Sequence, residues 1–337
     1  MSPPPPASLA TAESLESLGH ATLPHVLTSE ALEARQRRQA FAAVLLAAVC
    51  IGSSAIFVRL SDVGPAAIGF WRLVFSLGPT ALWALAEMRA MRAARPAGAA
   101  SRRLPFSGRQ LWLGVAAGFF FATDLVLFHA GLARTATANG LLLGNMAPVF
   151  VVLMGWLVLS ERPTLGLVAA LALGLGGAGI IILRSGVQLG GSMTGDLLCL
   201  AAASAYSAYM LFIRVVRRPA ADGAPGMGGG MVSLVSSAAG AVFCLAWALG
   251  SGETLVPQSL QGLLAVAGLG ILTHAAGQGL TTFALGRLPA GLISVVLLLQ
   301  ILVGVTGAAL LFGEVPSLTV LAGGVLIVAG VLAVRPR

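Results

Sequence analysis

Two stretches of the sequence decide the fold, because they repeat one another. Residues 134–164 read RTATANGLLLGNMAPVFVVLMGWLVLSERPT, and residues 287–317 read RLPAGLISVVLLLQILVGVTGAALLFGEVPS. Aligned without a gap, they pair Arg134 with Arg287, Glu161 with Glu314 and Pro163 with Pro316. Each holds an apolar run long enough to cross a bilayer as a helix. The sequence therefore predicts an internal duplication built from membrane helices.

The composition supports a membrane environment for the whole chain. Hydrophobic residues make up 57% of the sequence and charged residues 9%, and the mean hydropathy is +0.93. Soluble domains carry about 25% charged residues. We therefore expect an all-α polytopic membrane protein whose surroundings are the lipid bilayer.

Working outward from the repeat, apolar segments of about twenty residues alternate with short breaks. They predict ten transmembrane helices, near residues 41–60, 65–87, 111–132, 137–159, 164–183, 195–216, 230–250, 260–286, 289–312 and 317–334. Residues 1–40 differ from the rest, since they hold a proline run and are rich in Ser, Thr and Glu. We expect them to form a disordered cytoplasmic tail.

The arginines predict the orientation of these spans. All twenty basic residues are arginine. With the N-terminus inside, sixteen of them fall on the inner side, Arg72 lies within a span, and only three fall outside, namely Arg59, Arg134 and Arg184. Inner loops of membrane proteins carry the excess of basic residues. Both termini are thus expected in the cytoplasm, and the heavy use of Arg, Ala and Gly favours a bacterial inner membrane.

The net charge of +8 does not indicate nucleic-acid binding, because the arginines lie between apolar segments and form no single basic face.

Residues 41–183 and 195–334 form two five-helix halves. Since five is odd, the second half is expected to enter the membrane inverted. Inverted repeats are typical of transporters, because the two halves exchange conformations around a central site. Pro148 of span four aligns with Ile301, which predicts a helix break in one half only.

The segments DLVLFHAGLARTATANGLLLGNMAPVFVVLMGWLVLSERPTL (124–165) and LGRLPAGLISVVLLLQILVGVTGAALLFGEVPSLTVLAGGVLIVAGVLAV (285–334) resemble the two repeats of the EamA branch of the drug/metabolite transporter superfamily. IGSSAIFVRLSDVGPAAIGFWRLVF (51–75) is similar to the opening helices of that branch. The resemblance covers residues 41–334. It implies a ten-helix fold and export or exchange of a small metabolite, and it leaves the substrate open because members differ widely in cargo.

Charged side chains inside spans are costly and mark candidate functional residues. Arg72 lies about seven residues into span two. It is either an anchor for an anionic substrate group or part of an ion pair that locks helices together. Asp124 lies near the middle of span three. It is a candidate for proton coupling or for binding a cationic group, or it is the fixed partner of Arg72, since a lone buried charge is costly.

Uncharged polar residues complete the set of candidates. His129 lies near the outer end of span three. His274 and Gln278 are four residues apart, so they share a helix face and predict a polar stripe lining a cavity. Asn145 in span four and Gln300 in span nine are expected to bond another helix or the substrate.

Motifs typical of other functions are absent from the sequence. The sequence has no GxxxxGK[ST], HExxH or GxSxG motif and no carboxylate-rich metal cluster, so we expect no cofactor, no metal and no enzymatic activity. The alternatives to a transporter are an intramembrane enzyme, and a non-transporting membrane partner or receptor subunit that docks through residues 1–40. A homodimer is compatible with the sequence, which does not favour it over a monomer.

Overall fold

The computed structural model describes residues 13–93, 106–135, 137–184, 192–219, 225–312 and 317–334, and their regular elements are helices. We number ten helical stretches in chain order. They are α1 (Glu13–Gly52 and Ser54–Leu60), α2 (Pro65–Ala93), α3 (Gly108–Leu132), α4 (Thr137–Gly144 and Ala147–Leu159), α5 (Leu165–Arg184), α6 (Met193–Arg217), α7 (Gly229–Gly250), α8 (Leu260–Gly268, Leu269–Gln278 and Gly279–Leu285), α9 (Ala290–Leu297 and Leu299–Phe312) and α10 (Leu318–Ala333).

The lengths and composition of these helices make the chain a multi-pass membrane protein. Within the described residues, nine of the stretches, α1 to α9, are long and apolar enough to cross a membrane. α10 is a shorter apolar helix of 16 residues, about 24 Å long at 1.5 Å per residue. Large apolar side chains also point outward, for example Trp112 and Leu310, which are 74% and 79% exposed. Such surfaces suit a lipid solvent.

The first helix begins before the predicted first span. α1 begins at Glu13, inside the stretch 1–40 that we expected to be a disordered tail, and its membrane-spanning part begins at Ala31. The Ala, Leu, Glu and Arg residues in this stretch favour helix, and continuity with the apolar part of α1 removes the cost of starting a new helix. The proline run lies outside the described residues.

Helices of the first half pack mainly against helices of the second half. α2 packs on α7 and α5 packs on α10. α3 contacts α6 and α7, while α8 contacts α1 and α2. α4 contacts α6, and α9 contacts α1. The two halves can be exchanged by swapping each helix with its counterpart, α1 with α6, α2 with α7 and so on. Under this exchange, every contact named above becomes either itself or another of the contacts named above.

Two glutamates tie α2 and α7 together at opposite ends. The Glu253 carboxylate, just after α7, accepts hydrogen bonds from the backbone N–H groups of Ala66 (2.8 Å) and Ala67 (3.1 Å) at the start of α2. Glu87, near the end of α2, accepts them from Gly229 (3.0 Å) and Gly230 (2.9 Å) at the start of α7. Carboxylates stabilise helix N-termini, where backbone donors lack partners and the helix dipole is positive. Each helix thus supplies the cap of the other.

Close packing between α5 and α10 depends on glycine. A Cβ atom on Gly323 would lie 2.6 Å from the carbonyl oxygen of Gly177 and 2.8 Å from Cγ1 of Ile181. Only residues without a side chain allow the two backbones to approach this closely.

Four of the helices are irregular. α1 is interrupted at Ser53, whose hydroxyl bonds the Cys50 carbonyl, and α8 is π-helical from Leu269 to Gln278. α4 is interrupted at Asn145 and Met146, and α9 at Leu298. The expectation of a break in one half only is therefore wrong. In α9, which has no proline at that point, the Leu298 N–H bonds the Val295 carbonyl three residues back, and this tighter turn interrupts the helix.

Candidate functional site

The irregular parts of these four helices meet at a cavity of about 240 Å³ inside the bundle. It is bordered by α1, α2, α3, α4, α6, α8 and α9. Its lining residues are Ile51, Ser54, Arg72, Phe121, Asp124, Leu125, Phe128, Gly144, Asn145, Ala147, Pro148, Tyr206, Gln278, Ser294, Leu297, Leu298 and Gln300. Five of the seven residues predicted from the sequence line this cavity, namely Arg72, Asp124, Asn145, Gln278 and Gln300.

Arg72 is the buried cation of the cavity. It is 8% exposed, and its guanidinium carbon lies 5.5 Å from the centroid of the Phe121 ring. That distance allows an attraction between the cation and the ring face. Its Nε atom is buried and has no hydrogen-bond partner. The sequence singled out Arg72 but missed Phe121, which resembles any other core aromatic residue until α2 and α3 are packed together.

Asp124 is the acidic group of the cavity and lies on α3, one turn from both Phe121 and Phe128. Its side chain is half-buried because it faces the open space. Within the described part of the chain, the ion pairs at 4.0 Å or less involve Glu161 with Arg214 and Arg218, and not Asp124 with Arg72. The two charges therefore share a cavity without closing onto each other.

Three amide side chains add hydrogen-bonding groups. The Gln278 amide nitrogen donates to the Tyr206 hydroxyl at 3.4 Å, and its buried Oε1 atom has no partner. The Asn145 amide nitrogen donates to the Leu141 carbonyl at 2.8 Å, at the break in α4. Gln300 lies just after the break in α9. These groups can accept and donate bonds to a polar ligand.

A wider vestibule of about 540 Å³ adjoins the cavity and shares Arg72, Phe128, Asn145 and Gln300 with it. Arg59 and His129 also line it. The Nδ1 atom of His129 lies 2.6 Å from the Leu125 carbonyl and donates to it. His129 therefore lines the vestibule that leads to the cavity and does not line the cavity itself.

His274 does not form the polar stripe that we expected it to share with Gln278. Its Nε2 atom is hydrogen-bonded to the hydroxyl of Ser237 on α7 at 3.0 Å, and its ring packs 5.0 Å from Phe121. The wider turns of the π-helical part of α8 rotate the two side chains relative to α-helical geometry. His274 thus supports the wall of the cavity from behind, while Gln278 faces the space.

A second space of about 540 Å³ lies at the other end of the bundle and shares no lining residue with the central cavity. Glu161, Arg162, Arg214 and Arg218 line it. The Glu161 carboxylate accepts bonds from Arg214 Nε at 3.1 Å and from Arg218, and Arg214 Nη1 donates to the Leu285 carbonyl at 2.5 Å. This cluster joins the ends of α4, α6 and α8.

Comparisons with known proteins agree with this architecture. The model of the EamA-like transporter family matches twice, at residues 39–183 and 193–335. A solved crystal structure of a protein superposes with a TM-score of 0.70 at 19% sequence identity, covering 89% of this chain and 97% of the other; at that identity it shows the fold alone. A search of curated proteins found no match.

Proposed function

The chain belongs to the EamA-like transporter family, and we propose that it is a secondary transporter that exports or exchanges a small metabolite across the bacterial inner membrane by alternating access. The family makes it a membrane transporter of the drug/metabolite type. The substrate, the direction of transport and the mechanism are the proposed part.

One observation carries the proposal: the irregular parts of α1, α4, α8 and α9 converge on one polar cavity inside an apolar bundle. Broken helices are tolerated in a membrane where they line a cavity. In transporters, discontinuous helices form the substrate site near the middle of the membrane. Arg72 and Asp124 serve here as the groups that bind the substrate or couple its movement to protons.

Alternating access between two inverted five-helix halves has three supports. Six helix contacts between the halves map onto one another when the halves are exchanged. The same exchange of halves converts the cap that Glu87 supplies to α7 into the cap that Glu253 supplies to α2. The arginine distribution predicts opposite orientations of the halves. Counting α10 as a tenth span gives an even number of crossings, so both termini lie on the same side, and the arginine distribution favours the cytoplasmic side.

We infer the transport state of this structure from the spaces at the two ends of the bundle. The cavity joins the vestibule lined by Arg59 and His129, while the space lined by the Glu161 cluster shares no lining residue with the cavity. With both termini in the cytoplasm, the Arg59 end faces outward. The structure then corresponds to an outward-facing state, and opening the inward path requires the Glu161 cluster to separate.

Counterflow in proteoliposomes tests the proposal. Vesicles containing the purified protein are loaded with one unlabelled metabolite from a broad panel, and uptake of the same labelled compound is followed with and without a proton gradient. We expect at least one compound to accumulate transiently, and Asp124→Asn to abolish or uncouple its movement. The matched control Asp62→Asn, in the loop between α1 and α2, is expected to show the counterflow of wild type. Absence of counterflow for every compound would contradict transport.

A further inference from the structure

The space lined by the Glu161 cluster carries an excess of positive charge. Three of its lining residues are cations, Arg162, Arg214 and Arg218, and Glu161 is the anion, so the lining has a net charge of +2. Arg214 and Arg218 bond the same carboxylate oxygen of Glu161. Within the described residues, the ion pairs at 4.0 Å or less leave Arg162 without an acidic partner. The lining can therefore accept an anion.

Two of these arginines keep donors for such an anion. The Arg214 side chain is 11% exposed, and its Nε and Nη1 atoms are occupied by Glu161 and by the Leu285 carbonyl. The Arg218 side chain is 35% exposed and bonds Glu161 through Nη2, and Arg162 is exposed. Since a guanidinium has several N–H donors, Arg162 and Arg218 can bond an anion while the bonds to Glu161 stay in place.

The start of α5 adds further donors. The Thr164 hydroxyl oxygen accepts the Leu167 N–H at 3.2 Å, which leaves its own hydrogen to donate. The Val168 N–H bonds the Thr164 carbonyl, so the N–H groups of Leu165 and Gly166 precede the first backbone bond of the helix. Thr164 and Gly166 line the space. Arginines beside a helix N-terminus favour phosphate groups above other ligands.

The rest of the lining is mainly apolar. Val152, Leu167 and Leu292 form one wall of the space. The nearest atom that a Cβ on Gly155 would meet is Oε2 of Glu161, at 3.8 Å, so the space is open beside this residue. A soluble anion would use the donors and leave the apolar wall in contact with water, which is unfavourable. An amphiphilic anion covers both parts of the lining.

The helices around this space also expose large apolar side chains next to it. Trp156, Leu165 and Leu332 are 49%, 90% and 56% exposed, and each is a neighbour in sequence of a residue that lines the space. Tryptophan is enriched where the membrane meets water. The apolar part of a ligand in this space therefore lies beside a surface suited to lipid.

We propose that this space is a binding site for an anionic phospholipid, whose phosphodiester bonds Arg162 and Arg218 and whose acyl chains begin along the apolar wall. At about 540 Å³, it holds a headgroup and the first part of the chains. The arginine distribution favours the cytoplasmic side for this end, and basic pockets between membrane helices on that side bind anionic headgroups. The site shares no lining residue with the central cavity, so it goes beyond the proposed transport function and does not depend on it.

Titration of the purified protein with lipid, in a neutral detergent, tests the site. The probes are phosphatidylglycerol, phosphatidylcholine with the same acyl chains, and glycerophosphate as a headgroup without chains. Native mass spectrometry counts the bound lipids, and ligand-dependent thermal stabilisation gives dissociation constants. We expect phosphatidylglycerol to bind at least about tenfold more tightly than either of the other probes.

Variants locate the bound lipid. Arg162→Gln should weaken phosphatidylglycerol about fivefold, and Arg162→Gln/Arg218→Gln about thirtyfold, from the contribution of each arginine near a membrane surface. Arg109→Gln, exposed at the start of α3 and outside the space, is the matched control expected to bind as wild type. Gly155→Leu keeps every charge and fills the space, so it should also weaken the lipid. Its control is Gly176→Leu on α5, where an added Cβ meets nothing within 4 Å.

The outcomes separate the lipid from other occupants. Equal affinity for phosphatidylglycerol and phosphatidylcholine overturns the anionic headgroup. Glycerophosphate binding as tightly as phosphatidylglycerol shows a site for a soluble anion and overturns the lipid. Equal weakening by Arg162→Gln and Arg109→Gln shows attraction to a diffuse basic surface and overturns the assigned site. Because Arg162 is exposed, Arg162→Gln keeps the test usable should Gly155→Leu or the double variant misfold.

Discussion

Replacing Glu87 or Glu253 with alanine removes two hydrogen bonds from the start of the opposite helix. The Glu253 carboxylate accepts hydrogen bonds from the first backbone N–H groups of α2, and the Glu87 carboxylate accepts them from those of α7. Each change exposes two unpaired backbone donors and deletes the negative charge at a positive helix end. We expect both single variants to be less stable than wild type by similar amounts.

The size of the effect follows from these contacts. Loss of an N-cap costs about 0.5–2 kcal/mol, and the interaction of a charge with the helix dipole contributes about 0.3–1 kcal/mol. Since both carboxylates are half-buried, we expect about 2 kcal/mol for each variant. With about 2.1 cal/mol/K of unfolding entropy per residue over 337 residues, this equals a fall of about 3 °C in the melting temperature.

The assay is thermal unfolding of the purified protein in detergent, followed by tryptophan fluorescence. Glu33→Gln on the exposed part of α1 is the matched control, expected to stay within about 0.5 kcal/mol of wild type. Because the caps lie at opposite ends of the α2 and α7 pair, the double variant Glu87→Ala/Glu253→Ala should show the sum of the single effects. A wild-type melting temperature for either single variant would refute the reciprocal capping.

Three further predictions concern other contacts. Glu161→Ala leaves the buried Arg214 guanidinium without its carboxylate; because the cluster is partly exposed, we expect about 2 kcal/mol of destabilisation in chemical unfolding, against none for the exposed Arg162→Gln. The Ser259 hydroxyl lowers the pKa of Asp62 below its ordinary value of 3.8, so the stabilisation is present above pH 3.8 and is lost as the pH falls through the folded pKa. The difference in melting temperature between wild type and Asp62→Asn should therefore be constant from pH 7 to 5 and vanish in acid; a difference that grows in acid would contradict this. Gly323→Leu forces α5 and α10 apart and should cost about 1–3 kcal/mol, whereas an unchanged melting temperature would contradict the close packing.

Much of the fold follows from the sequence, because spanning helices need about twenty apolar residues and leave a clear hydropathy signal. The spans predicted near 65–87 and 230–250 coincide with α2 and α7. The break in α9 was not predicted, because it contains no proline. The reciprocal caps were also missed, since Glu87 and Glu253 find their partners only when α2 and α7 lie antiparallel.

The site was predictable in its charges and less so in its geometry. Arg72 and Asp124 stood out because charged groups are rare within spans. His274 was assigned to the cavity by α-helical spacing, and the π-helical part of α8 places it against Ser237 instead. Phe121 carried no signal, because a phenylalanine in an apolar helix is ordinary until its neighbours are known.

Access to one cavity from both sides of the membrane is the central claim, and cysteine labelling measures it directly. Ser294 lines the cavity, so Ser294→Cys is placed in a protein lacking Cys50, Cys199 and Cys244, reconstituted in one orientation. A small membrane-impermeant thiol reagent is applied from either side. We predict labelling from both sides, with Glu161→Ala raising the rate from the Glu161 side and lowering it from the other. Labelling from a single side, unchanged by Glu161→Ala, would contradict alternating access.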